Sequence, residues 1–213
     1  MVRVKICGVT EDDDLRVVAN AGADAAGVIT EVSVDTPREV APEQAADLIA
    51  TAPPFLSTVL VSMPDSATRA VELAGAVAPE AIQLHGDFDP AAVRYVRRES
   101  RADVIIAVDA ADTDRARRYD DVADAILIDS QTESGAGGTG ETHDWAAARD
   151  LVRDLSTPVV LAGGLTPGNV AEAARTVEPY AVDVASGVER AGGRKDHDAV
   201  ASFVRNADVE VPV

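Results

Sequence analysis

The sequence predicts a single (β/α)8 barrel, and two observations carry this prediction. Short apolar runs alternate eight times with segments whose ends favour helices, along a chain of 213 residues. Strict alternation of strand and helix is typical of a parallel sheet with crossover helices, and eight such units suit closure into a barrel. Polar residues also gather at the predicted carboxyl ends of the strands, where such barrels build their sites. We therefore expect residues 1–213 to form one α/β domain, with a doubly wound open sheet as the alternative.

The predicted strands are short and built from Ala, Val, Leu and Ile, in keeping with an aromatic content of only 3%. They are the opening run that ends at Cys7, then Ala25–Ile29, Leu56–Val61, Ala81–Leu84, Val104–Val108, Ala125–Ile128, Val159–Leu161 and Ala181–Val184. Several predicted helices begin at Asp or Pro and end in Arg, which matches the preferences of helix ends. They follow Thr10 and lie around Pro42–Ala50, Asp65–Ala76, Asp89–Arg98, Asp112–Arg118, Asp144–Arg153, Pro167–Arg175 and Asp198–Asn206.

The first strand carries an unusual pair of side chains. Successive side chains of a strand point to opposite faces, so Lys5 and Cys7 share one face while Val4 and Ile6 share the other. A lysine and a thiol on the inner face make sense if that face opens onto a site. Cys7, the only cysteine, is either a small buried hydrophobe or a reactive thiol, and its environment decides between the two.

Further polar side chains lie at or near the ends of other predicted strands. Arg38 lies in the long loop 30–41 that follows the second strand, His85 ends the fourth and Asp129 ends the sixth. Asp183, in the eighth strand, shares a face with Ala181 and is expected to point into the barrel. The opposite ends of the strands carry no comparable set. This asymmetry indicates an enzyme, because barrel enzymes place their sites at the carboxyl ends of the strands.

Glycine-containing turns follow the last two predicted strands. Gly163–Gly164 and Ser186–Gly187 lie where such barrels often bind phosphate through backbone N–H groups, although tight turns alone would also use glycine. We expect a small phosphorylated substrate there. The stretch 135–140 matches G-x-G-x-x-G but does not directly follow its strand, so it fails as a dinucleotide fingerprint. We interpret it as a loop that closes over the substrate.

Composition excludes several classes of protein. The net charge is −18, with 37 acidic residues against 19 basic ones, and nucleic-acid binding needs a basic surface. We expect no metal, because no Cys/His cluster has ligand spacing, and no membrane span, because no apolar run approaches the required length. One cysteine and no leader-like start favour the cytoplasm. The dispersed acidity and the two lysines among the basic residues favour adaptation to high salt over an ordinary acidic surface.

A series of motifs resembles that of the phosphoribosylanthranilate isomerases. The motifs are Lys5–Thr10, Gln83–Gly86, Gly137–Gly140, Leu161–Leu165, Asn169–Val170, Asp183–Glu189 and Lys195–Asp196. Their order and spacing match those of the family over essentially the whole chain. Each motif alone is weak evidence, and only the complete series is specific for this family. The resemblance implies a (β/α)8 barrel of tryptophan biosynthesis. We expect the protein to be a monomer or a homodimer. It would convert N-(5-phosphoribosyl)anthranilate to the 1-deoxyribulose 5-phosphate derivative by an Amadori rearrangement, without a cofactor.

The resemblance also implies roles for individual residues. Asp129 would protonate the ring oxygen of the substrate and Cys7 would remove the proton from C2, with Lys5 lowering the pKa of the thiol. Arg38 would hold the anthranilate carboxylate through its planar fork. Asp183 would touch the sugar or hold a neighbouring group. The remaining predicted substrate-binding residues are His85, Gly163, Gly164, Ser186 and Gly187.

Two departures and two alternatives remain open. The family commonly has a lysine where Glu141 stands and a phenylalanine where His143 stands, so loop closure would differ here. Other phosphosugar barrels, such as indole-glycerol-phosphate synthases or histidine-pathway isomerases, share the phosphate loops but do not need a cysteine at the end of the first strand. A non-catalytic regulatory barrel that binds a phosphorylated metabolite would have no use for both Cys7 and Asp129.

Overall fold

A computed structural model describes residues 2–129 and 145–208. Eight parallel strands pair in chain order and the last pairs with the first, so the sheet is a closed barrel. The strands are β1 (Arg3–Cys7), β2 (Ala25–Ile29), β3 (Ser57–Ser62), β4 (Ala81–Leu84), β5 (Asp103–Asp109), β6 (Ala125–Asp129), β7 (Val159–Ala162) and β8 (Ala181–Val184). The predicted fold class is confirmed. That residues 1–213 form one domain stays a prediction.

Helices connect the strands on the outside of the barrel. They are α1 (Asp12–Asn20), α2 (Pro42–Ala50), α3 (Ala67–Val77), α4 (Pro90–Glu99), α5 (Thr113–Arg118), α6 (Trp145–Asp154), α7 (Val170–Val177) and α8 (His197–Ala207). None of the helices in the described part of the chain is long and apolar enough to cross a membrane.

Helices α3 and α7 begin two or three residues later than predicted, α3 because a side chain caps it and α7 because a hydrogen-bonded turn precedes it. The hydroxyl of Ser66 accepts a hydrogen bond from the Arg69 amide at 3.2 Å, which makes Ser66 the N-cap of α3. Before α7, the Asn169 side chain accepts from the Thr166 amide at 2.8 Å and donates to the Gly164 carbonyl at 3.0 Å. These bonds hold the chain in a turn, so α7 starts at Val170 and the loop after β7 is fixed in place.

The core has two layers, and both use mainly aliphatic side chains. Large aliphatic residues on the outward faces of the strands, such as Ile6, Leu60 and Ile126, are fully buried under the helices. Inside the barrel, Val59 and Val61 pack near Cys7 in one cluster, while a second cluster is formed by Ala107, Leu127, Val160, Ala162 and Ala181. Short aliphatic side chains suit the narrow interior of an eight-stranded barrel, which explains the low aromatic content.

A short hairpin that the sequence analysis did not predict lies between β8 and α8. After a 3₁₀ turn at Ser186–Val188, β9 (Glu189–Ala191) pairs antiparallel with β10 (Arg194–Lys195). The Thr10 hydroxyl donates to the Gly193 carbonyl at 2.6 Å, which ties the hairpin to the loop after β1. The hairpin buries the whole side chain of Lys195.

Candidate active site

A cavity of about 540 Å³ opens at the carboxyl ends of the barrel strands. Its lining includes all of the site residues predicted from sequence: Cys7, Arg38, His85, Asp129, Gly163, Gly164, Asp183, Ser186 and Gly187. They converge because the strands of a parallel barrel all end on the same side. The structure therefore brings all of these residues together around one cavity.

Lys5 and Asp183 form a buried ion pair across neighbouring strands. The register of β1 and β8 places them side by side, and Nζ of Lys5 lies 2.9 Å from Oδ2 of Asp183. Burial would lower the pKa of Lys5, but the charges of Asp183 and Cys7 outweigh it and raise that pKa above its ordinary value. Oδ1 of Asp183 is buried and has no hydrogen-bond partner among the described residues, and Asp183 lines the cavity.

Cys7 lies next to this pair, and its side chain is almost buried. A Cβ added to Gly27 on β2 would lie only 3.0 Å from its Sγ, so the glycine makes room for the thiol. The expectation that Lys5 would lower the pKa of Cys7 below its ordinary value is wrong. Burial raises this pKa more than the charge and hydrogen bond of Lys5 lower it, and the charge of Asp183 raises it further.

Asp129 ends β6, on a different side of the cavity mouth from Cys7. Three strand-to-strand steps separate β6 from β1 around the barrel, through β7 and β8. Asp129 is partly buried and its Cα is in register with that of Asp109 at the end of β5. Asp109 is exposed and does not line the cavity. A carboxyl group and a thiol therefore approach the cavity from separate strands, as acid and base catalysis at two atoms of one ligand requires.

His85 is neutral in this structure. Burial, and secondly the charge of Lys5, lower its pKa to about 4. Its Nε2 lies 2.8 Å from the amide nitrogen of Gln83, so Nε2 accepts and Nδ1 carries the hydrogen. A neutral imidazole beside Lys5 and Asp183 can donate one hydrogen bond without adding charge to the cavity.

Arg38 is held by a two-point contact that sequence reasoning missed. Its Nε and Nη2 donate to Oε1 and Oε2 of Glu189 at 2.8 and 2.7 Å, and Nη1 lies 3.4 Å from the Thr36 hydroxyl. The hydrogen bonds that Arg38 donates to Glu189 raise the pKa of Arg38. Because Glu189 occupies only the Nε edge, the edge formed by Nη1 and Nη2 is the one left to meet a ligand carboxylate.

Lys195 is the second residue that sequence reasoning left without a role. Its side chain is fully buried and its Nζ lies 3.0 Å from Oε1 of Glu189. A signal for it was present in the composition: the chain has two lysines among its 19 basic residues. Both of them, Lys5 and Lys195, are buried at this end of the barrel.

The loops after β7 and β8 meet at the edge of the cavity. Gly163 and Gly164 have φ angles of 91° and 63°, a region that favours glycine. A Cβ on Gly187 would overlap the Leu165 carbonyl oxygen, so only glycine lets the two loops approach this closely. Ser186 is exposed at the start of the 3₁₀ turn. Backbone N–H groups and one hydroxyl are therefore concentrated where the phosphate was expected.

Two further expectations concern a metal site and the glycine-rich loop. Within residues 2–129 and 145–208, no group of three or more His, Cys, Asp or Glu side chains is placed to hold a metal ion. The glycine stretch 135–140, Glu141 and His143 lie outside the described residues.

The chain is similar in sequence to known proteins over nearly its whole length. The profile of the family described as N-(5'-phosphoribosyl)anthranilate (PRA) isomerase matches residues 4–206. A relative from Halorubrum lacusprofundi named N-(5'-phosphoribosyl)anthranilate isomerase is 61% identical over 211 residues, and the match covers 99% of each chain.

Solved structures are similar as well. The crystal structure of phosphoribosyl anthranilate isomerase from Thermotoga maritima has a TM-score of 0.87 to this chain at 37% identity, and the match covers 97% of this chain and 98% of that one. A crystal structure of a phosphoribosyl anthranilate isomerase in complex with reduced 1-(o-carboxyphenylamino)-1-deoxyribulose 5-phosphate has a TM-score of 0.81 at 36% identity, with the same coverage.

Proposed function

The chain belongs to the N-(5'-phosphoribosyl)anthranilate isomerase family, and we propose that its reaction takes place in the cavity at the barrel mouth with Cys7 and Asp129 as base and acid. It is an isomerase of tryptophan biosynthesis that converts N-(5-phosphoribosyl)anthranilate to 1-(2-carboxyphenylamino)-1-deoxyribulose 5-phosphate. The observation that carries the proposal is the meeting of a thiol, a carboxyl group, an arginine fork and two glycine loops in one cavity.

The cavity supports one orientation of the substrate. The phosphate lies against Gly163, Gly164 and Ser186–Gly187, where backbone N–H groups favour an anion. The anthranilate carboxylate meets the edge of Arg38 formed by Nη1 and Nη2, in the loop after β2. The ribose then lies between these ends, within reach of Cys7 and Asp129. A ligand with two anionic ends suits a cavity with a cationic end and an N–H-lined end.

The first chemical step is ring opening, with Asp129 as the acid. A proton passes from its carboxyl group to the ring oxygen, the C1–O bond breaks, and the nitrogen lone pair forms the C1=N bond of a protonated Schiff base. In the second step Cys7 takes the proton from C2, and the electrons of that C–H bond form C1=C2 while neutralising the nitrogen. The enol then becomes the ketone when its C2 hydroxyl loses a proton and C1 gains one.

The raised pKa of Cys7 fits this order of events. The ligand-free cavity keeps the thiol protonated because burial disfavours the thiolate. Ring opening places the positive charge of the Schiff base next to the carbon that loses its proton. A nearby positive charge lowers the pKa of a thiol, so the thiol releases its proton to water at the cavity mouth, and the resulting thiolate takes the proton from C2. Lys5 is held by Asp183 and adds a fixed positive charge to the same end.

Neither alternative explains the whole cavity. The phosphate loops alone would also suit another phosphosugar barrel or a regulatory barrel. A phosphorylated ligand would be compatible with all three kinds of barrel. Cys7 and the Arg38–Glu189 fork have no use in a barrel that binds only the phosphate. The assembly state, monomer or homodimer, and the cytoplasmic location stay predictions.

The direct test is turnover by the purified protein in molar salt. Freshly made phosphoribosylanthranilate is added and its disappearance and the product are followed. We expect conversion that stops when a reduced product analogue, as bound in the related crystal structure, occupies the cavity. Conversion that the analogue does not inhibit would place the reaction elsewhere, and no conversion would refute the proposed function.

A further inference from the structure

Lys195 is a buried cation whose donors are all used. Its Nζ donates to the Cys7 carbonyl at 2.6 Å, the Ala185 carbonyl at 3.2 Å and Oε1 of Glu189 at 3.0 Å. Burial lowers the pKa of Lys195 below its ordinary value, and the charge and hydrogen bond of Glu189 oppose this shift. An ammonium has three N–H donors, and three acceptors surround it, so the group is charged. Removing an ammonium from water is costly unless its partners compensate. A fully buried lysine in a chain that otherwise uses arginine almost everywhere therefore calls for a specific reason.

The carboxylate of Glu189 links this cation to Arg38. Its Oε1 accepts from both Lys195 and Nε of Arg38, while Oε2 accepts from Nη2 of Arg38. Burial alone would raise the pKa of Glu189, but the hydrogen bonds from Arg38 and the charge of Lys195 lower it below its ordinary value. The three groups thus carry charges of +1, −1 and +1. Their sum is +1, whereas Arg38 and Glu189 without the lysine would sum to zero.

The network is held rigidly on both sides. The backbone amide of Lys195 donates to Oδ2 of buried Asp14 at 3.0 Å, which anchors β10 to α1. The stem of Arg38 packs on Gly8, where an added Cβ would lie 2.8 Å from Cδ. The stem of Arg38 is therefore supported by Gly8 and its guanidinium by Glu189, and the residue lines the cavity. Groups fixed in advance bind a ligand without losing further side-chain freedom.

We propose that Lys195 is a positioning residue for the substrate carboxylate: acting through Glu189, it keeps the Arg38 end of the cavity net positive and fixes the guanidinium edge that the ligand meets. The inference rests on the proposed function, in which Arg38 receives that carboxylate. A purely structural role is the competing explanation, because the same ammonium ties the Cys7 carbonyl to the Ala185 carbonyl. The two explanations differ in what they require of Glu189. Only the positioning role makes its charge matter once Lys195 is gone.

The test compares two ligands and three variants. The ligands are the reduced product analogue and the same molecule without its carboxyl group, and affinity is measured by calorimetry at fixed molar salt. Lys195→Met removes the charge and keeps an unbranched stem, and the double variant with Glu189→Gln restores the +1 sum by removing the opposing carboxylate. Arg194→Met is the matched control, since it removes a positive charge from the neighbouring residue of β10, which pairs with Glu11 instead.

A selective effect is expected. Lys195→Met should bind the carboxylate-bearing analogue roughly tenfold more weakly, the scale of one charge interaction at intermediate dielectric, while the analogue without the carboxyl group changes less than about twofold. The double variant should recover most of that loss. Arg194→Met should match the wild type with both ligands. KM should rise in Lys195→Met with kcat largely retained.

Two results would overturn the inference: equal weakening of both ligands in Lys195→Met, or a double variant that binds no better than Lys195→Met. If Lys195→Met does not fold, Glu189→Gln alone provides the decision, because it raises the charge sum of the three groups from +1 to +2 and keeps the length of the side chain. Tighter binding of the carboxylate-bearing analogue alone supports the positioning role, and unchanged discrimination between the two analogues refutes it. Turnover by the wild type distinguishes failure of the proposed function from failure of the role of Lys195. If the wild type shows no turnover, the proposed function is refuted. If the wild type turns over and the variants show no selectivity between the two ligands, only the role of Lys195 is refuted.

Discussion

Nζ of Lys5 lies 2.9 Å from Oδ2 of Asp183, and this buried pair acts on the adjacent Cys7 with opposite signs. The charge of Lys5 lowers the pKa of the thiol, whereas the charge of Asp183 raises it. The rate at which iodoacetamide alkylates Cys7 rises with pH as the thiolate forms. Lys5→Met should therefore move the midpoint of this rise to a higher pH, and Asp183→Asn should move it to a lower pH. Alkylation rates measured from pH 7 to 11 would show this, and shifts of the same sign would contradict the balance.

Loss of either proton-transfer group should reduce turnover and leave binding largely intact. Cys7→Ala and Asp129→Asn should each lower kcat by roughly 100-fold or more, the scale of a lost general base or acid. The matched control is Asp109→Asn, because Asp109 pairs with Asp129 in register but is exposed outside the cavity. Turnover should stay near wild type in this control. A Cys7→Ala variant with nearly normal kcat would exclude the thiol as the base.

The placement of these residues was predictable because it depends on local rules. Side chains alternate along a strand, and parallel strands of a barrel end on one side, so Cys7 and Asp129 could be brought to one cavity from sequence alone. The hairpin that contains Glu189 and Lys195 was not predictable in this way. Its strands are short, lie outside the barrel sheet and show no apolar alternation, although the rarity of lysine marked Lys195.

The pKa of Cys7 could not be predicted for a different reason. The identities of Lys5 and Cys7 indicated a lowered value, since a nearby cation favours a thiolate. The net direction depends on how completely the thiol is removed from water. Cys7 is buried and packs closely against Gly27, and burial has the largest effect on its pKa. Only tertiary packing determines the size of a burial effect. Sequence patterns report which groups are near each other.

Neutral His85 should make the fold sensitive to mild acid. Its pKa is lowered to about 4, mainly by burial, whereas an unfolded chain has its ordinary value near 6.5. As the pH falls from 6.5 toward 4, the unfolded chain takes up a proton that the folded protein does not, so the free energy of unfolding decreases. At pH 5 the loss should be about 1 kcal/mol, since His85 is not fully shielded from water.

His85→Gln provides the comparison for this acid effect. Urea denaturation at pH 7 and pH 5, at one salt concentration, gives the change in the free energy of unfolding for each protein. The variant should lose less stability than the wild type over this interval, by the same amount of about 1 kcal/mol. Equal losses in the two proteins would mean that other groups cause the acid sensitivity.

Salt should stabilise the fold because the surface is so acidic. The net charge is −18, and carboxylates such as those of Asp13, Asp87 and Asp114 are exposed to solvent. Raising monovalent salt from about 0.1 M to 1 M shortens the screening length from about 10 Å to 3 Å and weakens their mutual repulsion. Tm should rise over this range, whether NaCl or KCl is used. A flat Tm would count against adaptation to high salt.

Arg38 separates the proposed reaction from other phosphosugar barrels. Its Nε edge is held by Glu189, and its other edge is the cationic group placed to meet a carboxylate in the cavity. Arg38→Lys keeps the charge but loses both the fork to Glu189 and the planar contact with the ligand. We expect Arg38→Lys to weaken binding of the reduced product analogue, and Arg38→Ala to cost about 2–5 kcal/mol if water is excluded from the contact.

The control for Arg38 lies in the ligand. The analogue without its carboxyl group should bind the wild type and both variants with similar affinity, because the phosphate meets the loops around Gly164 and Gly187 on another part of the cavity wall. Inorganic phosphate should likewise bind all three proteins alike. Calorimetric titrations with the two analogues decide the matter: if Arg38→Ala weakens both of them equally, or neither, Arg38 does not bind the carboxylate. That result would favour a different barrel reaction, on a phosphorylated ligand that has no such carboxylate.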